Sequence, residues 1–175
     1  PVDQDECIRE DITLEQLASL PPAFATLGYA GADAFQLDAY DDIDAVQHVH
    51  TAGNSPAMCD AASVLLIGDA ALGQSLGIAP RAQIVSSATA CGDPLEVLAG
   101  CIPAAQRLLL DSGRTVGDID LFEMHEAFAA TVIKLQRELA IDDAQLNVNG
   151  GVIALGHLMG STGAIMTGTL LDELE

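Results

Sequence analysis

Apolar positions along the chain recur with two different spacings, and the switches between them set the expected order of elements. From Asp11 to Leu20 they fall at Ile12, Leu14, Leu17 and Leu20 with an acid in the first turn, which predicts a short amphipathic helix stopped by Pro21 and Pro22. The run Ala61 to Ile67 is almost continuously apolar, as a strand buried on both faces would be. Asp69 to Gly77 reads as a helix ending on glycine, and Ala82 to Ala90, with Ile84 and Val85, as a second strand closed by Gly92, Asp93 and Pro94. Ile102, Ala105, Leu108 and Leu109 predict a helix to Gly113, with Pro103 in its first turn. Asp118 to Met124 alternates as a third strand, His125 to Leu139 is helical, Leu146 to Asn149 is a short strand, and Gly163 to Glu175 forms the last helix.

Strands alternating with helices imply crossover units, so the expected fold is α/β with a largely parallel sheet covered by helices on both faces. Residues Ala23 to His50 break the pattern. With Gly28, Gly31 and the acidic run Asp38 to Asp44, this stretch is expected to be an irregular lid or binding loop at the N-terminal end; a solvated loop is the alternative. His48 and His50 alternate and would share one face of a strand, but no Cys or acid pattern accompanies them, so no metal site is expected.

Composition narrows the function. Half of the 175 residues are apolar, enough for one α/β domain of ordinary size, while aromatics make up 3% and Trp is absent. A formal charge of −20 argues against nucleic acid as a partner and weakens attraction to anionic membranes. An anionic ligand such as a nucleotide-bearing coenzyme would instead rely on individual bases among Arg9, Arg81, Arg107, Arg114, Lys134 and Arg137. Cys7, Cys59, Cys91 and Cys101 form no C-x-x-C pair and no disulfide framework, which fits a reducing cytoplasm. No apolar run approaches the roughly 18 residues of a membrane span, and no signal core opens the chain. The start without Met and the finish inside an apparent helix suggest a piece of a longer polypeptide.

The densest chemistry lies in Asn147 to Thr162, N-V-N-G-G-V-I-A-L-G-H-L-M-G-S-T, where His157 sits in a framework of glycines that allows tight backbone approach to a ligand. Ser161 and Thr162 are placed to cap the following helix. An incidental histidine in a glycine-rich turn is the alternative. His125 occupies a comparable point, where a strand gives way to a helix, and in open α/β sheets ligands bind at those strand ends. Two imidazoles meeting in one crevice would supply a proton acceptor and a hydrogen-bond donor.

Taken together, Ile8-Arg9, Thr51-Ala52-Gly53-Asn54, Cys101-Ile102-Pro103-Ala104, His125-Glu126-Ala127-Phe128, Asn147-Val148-Asn149-Gly150-Gly151 and Gly156-His157 resemble, in order and spacing, the C-terminal half of thiolases, the acyl-CoA C-acyltransferases. The resemblance implies acyl transfer between an acyl-CoA and CoA, either thiolysis of a 3-ketoacyl-CoA or condensation of acetyl-CoA, with coenzyme A as substrate and no covalent cofactor. It assigns His157 to activation of the cysteine nucleophile and binding of the thioester oxygen. His125 would orient a water in the same oxyanion site, Glu126 would join that polar network, Gly156 would shape the substrate loop, and Arg9 would contact the nucleotide end of CoA. Residues 1–60 would belong to the CoA-binding lid and loop region, and 61–175 to the C-terminal domain without its final strands. Self-association as a dimer or tetramer, fatty-acid β-oxidation, and a place in an oxidation complex are further implications.

Four departures qualify this. By the family pattern both catalytic cysteines lie outside these residues, so activity of the 175-residue chain alone is not expected. The four cysteines present read as small buried or neutral residues, with Cys101 in place of a proline. Leu158 stands where proline follows the histidine, removing a fixed φ from the loop. Pro56 replaces a serine that would touch pantetheine. A thiolase-like acyl-CoA or lipid-binding module without catalysis is therefore the alternative.

Overall fold

The computed structural model describes Asp3 and residues 6–175. Helix α1, Leu14–Ala18, starts where Thr13 accepts from the amide of Gln16 and the Gln16 side chain returns the bond to the amide of Thr13. This reciprocal cap satisfies two of the orphan donors of a helix start. Two further short helices, α2 (Ala25–Leu27) and α3 (Asp33–Ala39), are joined by a π-helical turn at Gly28–Ala32. The stretch expected to be irregular is thus largely helical up to Tyr40. Its helices carry no long apolar repeat to betray them, and they are held from outside. His48 Nε2 lies 3.0 Å from Asp33 Oδ2, and Gln36 donates to the carbonyl of Leu95 at 2.9 Å.

Helix α4, Ala70–Leu76, is capped by Asp69 and closed by Gly77 in the left-handed conformation, matching the bounds read from sequence. Helices α5 (Cys101–Ser112) and α6 (Ala129–Leu139) pack on one another. Between them lies the main core of Ala99, Ile102, Met124, Leu135 and Ile141, with Phe122, Val132 and Leu146 at its border. The chain ends with α7 (Val152–Leu155) and α8 (Thr162–Glu173). Residues His125 to Phe128 are not helical. Helix α6 begins four residues later than expected, and Phe128 at its N-cap is extended. No helix among the described residues is long and apolar enough to cross a membrane.

The expected sheet does not form among the described residues. Among the described residues there is no strand, only two isolated parallel bridges, Phe122 with Leu146 and Met58 with His157. The segments expected as buried strands have no regular structure and lie open, with Val64 93% and Ile84 70% exposed. A parallel strand needs a ladder partner on its edges and cover on both faces, and these segments have neither here. The two bridges matter because each carries one of the candidate histidine segments. The first, with Phe122 donating to Gln145 and Asn147 to Phe122, sets the approach to His125. In the second, His157 donates to the carbonyl of Ala57 at 2.7 Å, and Cys59 donates back to that of His157 at 3.1 Å.

Candidate functional site

Beyond the Phe122 bridge, the side chain of Asn147 acts as a substitute strand edge. Its Oδ1 accepts from the Met124 amide at 2.7 Å, and its Nδ2 donates to the Met124 carbonyl at 3.0 Å. The same Nδ2 donates to Glu126 Oε1 at 2.9 Å. Asn147 sits at φ 47, a conformation Asn tolerates better than most residues, and this turns its amide back over the preceding segment. His125, between Met124 and Glu126, is thereby held from both sides.

Glu126 reaches the other motif as well. Its Oε2 accepts from the amide of Ile153 at 3.0 Å, in the first turn of α7. The carboxylate lies where a Cβ on Gly151 would stand, so glycine at that point is a packing requirement. Glu126, expected to join the polar network of the site, has both its oxygens in hydrogen bonds that tie the HEAF segment to the NVNGG loop.

Gly156 precedes the second histidine with φ 95, and a Cβ there would collide with Cys59 Sγ. Both its backbone angle and its contact call for glycine. His157 follows. Its Nδ1 lies 2.9 Å from Thr162 Oγ1, and the same oxygen accepts from the amide of Leu158 at 3.1 Å. Thr162, the first residue of α8, is only 4% exposed. The expected capping by Ser161 and Thr162 does not occur: Thr162 serves the histidine, and Ser161 Oγ donates to the carbonyl of Ala61 at 3.2 Å.

These two supports bring the imidazoles together. The rings of His125 and His157 have centroids 4.5 Å apart and planes inclined by 42°. Burial, and secondarily the neighbouring His157, depress the pKa of His125, so this ring is neutral near pH 7. Its Nδ1 is buried with no hydrogen-bond partner among the described residues, leaving polar capacity inside the site. A neutral imidazole of this kind donates one N–H, and a second imidazole beside it can take or give a proton.

Arg9 is not part of this assembly. It is exposed in the turn before α1, where its carbonyl accepts from Ile12, and no contact joins it to either histidine among the described residues. Of the cysteines, Cys91 is exposed rather than buried, Cys101 has its thiol pKa raised by burial, and Cys7 and Cys59 flank Gly156 beside the histidine loop. No cluster of three or more metal-ligating side chains occurs among the described residues.

A half-open pocket of about 920 Å³ lies against α2 and α3, lined by Phe24, Leu27, Val46, Val97, Leu98 and Phe128, among others. Phe128 follows His125 in the same segment and is stacked by two lid-side rings: Phe24 edge-on at 5.8 Å and His50 at 4.6 Å. His50 therefore packs against aromatic rings, while His48 pairs with Asp33. Asn147, Thr162 and Phe128 are the site residues whose individual tasks sequence reading missed. An Asn that opens the N-V-N-G-G stretch, three residues before the glycine pair, was the available signal for the first.

Known proteins are similar to this chain in sequence and in fold. The family model described as thiolase, C-terminal domain, matches residues 78–175. A 3-ketoacyl-CoA thiolase of Colwellia psychrerythraea is 38% identical over 176 residues, covering 99% of this chain and 41% of that protein. An acetyl-CoA acetyltransferase of Rhizobium meliloti is 40% identical over 174 residues, covering 99% of this chain and 39% of the relative. Among solved structures, human mitochondrial 3-ketoacyl-CoA thiolase in complex with CoA superposes with a TM-score of 0.77 at 30% identity, over 99% of this chain and 39% of that one. The acetyl-CoA acetyltransferase of Bacillus anthracis gives 0.74 at 32% identity, over 98% and 38%. The chain spans about two fifths of the length of the curated relatives it matches.

Proposed function

We propose, from the premise that this chain belongs to the thiolase family, that it supplies the histidine-bearing part of an enzyme transferring acyl groups between acyl-CoA and CoA. The observation that carries the reading is the 4.5 Å approach of His125 and His157, with an unpartnered His125 Nδ1 buried beside them. In this reading His157 takes the proton of a cysteine thiol and stabilises the thioester oxygen, and His125 donates to a water at the same oxygen. The cysteine comes from outside these residues. CoA itself is the substrate, as the CoA complex of the human relative supports, with Arg9 at its nucleotide end.

The reaction is thiolysis of a 3-ketoacyl-CoA or the reverse condensation, and the apolar pocket against α2 and α3 accommodates the hydrocarbon part of the acyl group. Residues 1–60 form the CoA-facing lid and loop region, and residues 61–175 the C-terminal domain. The open segments 61–67 and 82–90 pair as strands of a parallel sheet within the longer protein. Self-association as a dimer or tetramer, a cytoplasmic location and a role in β-oxidation complete the reading.

The rival reading, an acyl-CoA-binding module without catalysis, is favoured by Pro56, which lacks the hydroxyl expected to touch pantetheine. Incubation of the complete protein with a 3-ketoacyl-CoA and CoA separates the two. Release of two shorter acyl-CoA products supports transfer, and saturable binding without products replaces it with the rival.

A further inference from the structure

Leu158 stands directly after His157, and unlike a proline at that place it carries an amide N–H. That N–H donates to Thr162 Oγ1 at 3.1 Å, and the same oxygen faces His157 Nδ1 at 2.9 Å. Thr162 is 4% exposed, so water has little access to its hydroxyl. An amide can only donate, and it takes one of the two lone pairs of Oγ1. One lone pair and the O–H remain for the imidazole. His157 is itself anchored through its backbone to Ala57 and Cys59, which leaves ring rotation and proton placement as the freedoms still to be fixed.

We propose that Thr162 is the positioning residue that sets the tautomer of His157, accepting from Nδ1–H and leaving the Nε2 lone pair for the thiol. The proposal rests on the acyl-transfer reading and adds the regulation of its proton step. When the thiol of the cysteine nucleophile transfers its proton, the S–H bond breaks, an Nε2–H bond forms, and the thiolate keeps the electron pair. The imidazolium then carries both N–H groups. A hydroxyl already accepting from Nδ1–H suits the ring before and after the transfer, whereas one donating to Nδ1 would have to turn over during the step. The Leu158 amide holds Oγ1 in this accepting role. The same pair of bonds explains how the loop fixes its histidine without proline's restricted φ: the backbone at Leu158, φ −88, is tied to α8 through Thr162.

The test compares Thr162→Val, which keeps the shape and removes the hydroxyl, with Thr162→Ser, which keeps the hydroxyl, in the complete protein. The other groups facing His157 are His125, with Glu126 adjoining it, and the thiols of Cys7 and Cys59 beside Gly156. These are left unchanged, so a shift of the acid limb of the kcat–pH profile reports His157. Thr162→Val is expected to lower kcat on the order of 10-fold to 100-fold with KM little changed, and to move that limb, while Thr162→Ser restores both. The ¹⁵N resonances of His157 are expected to show the proton on Nδ1 in the wild type and Thr162→Ser, and a mixture of tautomers in Thr162→Val. A wild-type ring protonated on Nε2, or a Thr162→Val protein with unaltered kcat and tautomer, would overturn the proposal. His157→Ala is the control for the underlying reading: if that variant retains full turnover, acyl transfer through His157 fails, whatever Thr162 does.

Discussion

The carboxylate of Glu126 accepts from the side-chain amide of Asn147 at 2.9 Å and, through its other oxygen, from the amide of Ile153. One residue of the HEAF segment is thereby clamped to both ends of the loop that leads to His157. The consequence is that the site is built by polar ties between two motifs rather than by a large core beneath them.

Removing that clamp should cost stability. Glu126→Ala leaves two half-buried donors without acceptors, and the expected loss is about 2 kcal/mol by the usual penalty for such groups. Glu126→Gln keeps an acceptor and should lose less. Gly151→Ala puts a methyl where the carboxylate lies and is expected to match or exceed the Glu126→Ala loss. Thermal unfolding of the four proteins measures the order.

The pH dependence has a definite sign. The pKa of His125 is lowered in the folded chain from a reference value of 6.5, so between the folded value and about 6.5 the unfolded chain binds more protons. Stability therefore falls as pH drops through that window and is insensitive to this group above it. His125→Asn, which cannot titrate, should show a shallower loss between pH 7 and pH 5. Unfolding midpoints measured across that range check it, and parallel curves for the two proteins would assign the slope to other groups.

The contact between His48 and Asp33 gives a local prediction. His48 and Asp33 lie 3.0 Å apart with side chains 11% and 21% exposed, and they join α3 to the segment entering Thr51. Asp33→Ala should raise amide exchange across α3 by roughly 10-fold, the equivalent of about 1.4 kcal/mol, while α5 and α6 exchange as before. Mass-detected hydrogen exchange resolves the two regions.

Val46 lines the pocket against α2 and α3. Val46→Trp should fill part of that space and reduce kcat/KM for a long-chain 3-ketoacyl-CoA on the order of 10-fold, with little change for acetoacetyl-CoA. Equal losses for the two substrates would show that the cavity does not hold the acyl chain.

Local chemistry made much of this legible in the sequence. Asp69 and Gly77 bound α4 as their cap types dictate, and Gly113 closes α5. His125 and His157 were paired from their places after successive extended segments, and the geometry places their rings together. Features that depend on distant partners were not readable. The runs holding Val64 and Ile84 have the composition of buried strands, but a strand exists only with a neighbour, and neither has one among the described residues. The lid helices form through contacts at Leu95 and His48 rather than through their own periodicity. Thr162 has the composition of a cap and the position of one, yet its hydroxyl is claimed by His157 and Leu158, which no local rule foresees.

The central claim is that two imidazoles serve one thioester site, and a double-mutant cycle on acyl transfer by the complete protein tests it most directly. His157→Ala is expected to lower the acylation rate by a factor on the order of 10² to 10⁴, and His125→Ala to lower it substantially. Groups acting on the same oxygen and proton are not additive, so the double variant should be little slower than the worse single one. Multiplying losses, or full turnover without His157, would contradict a shared site.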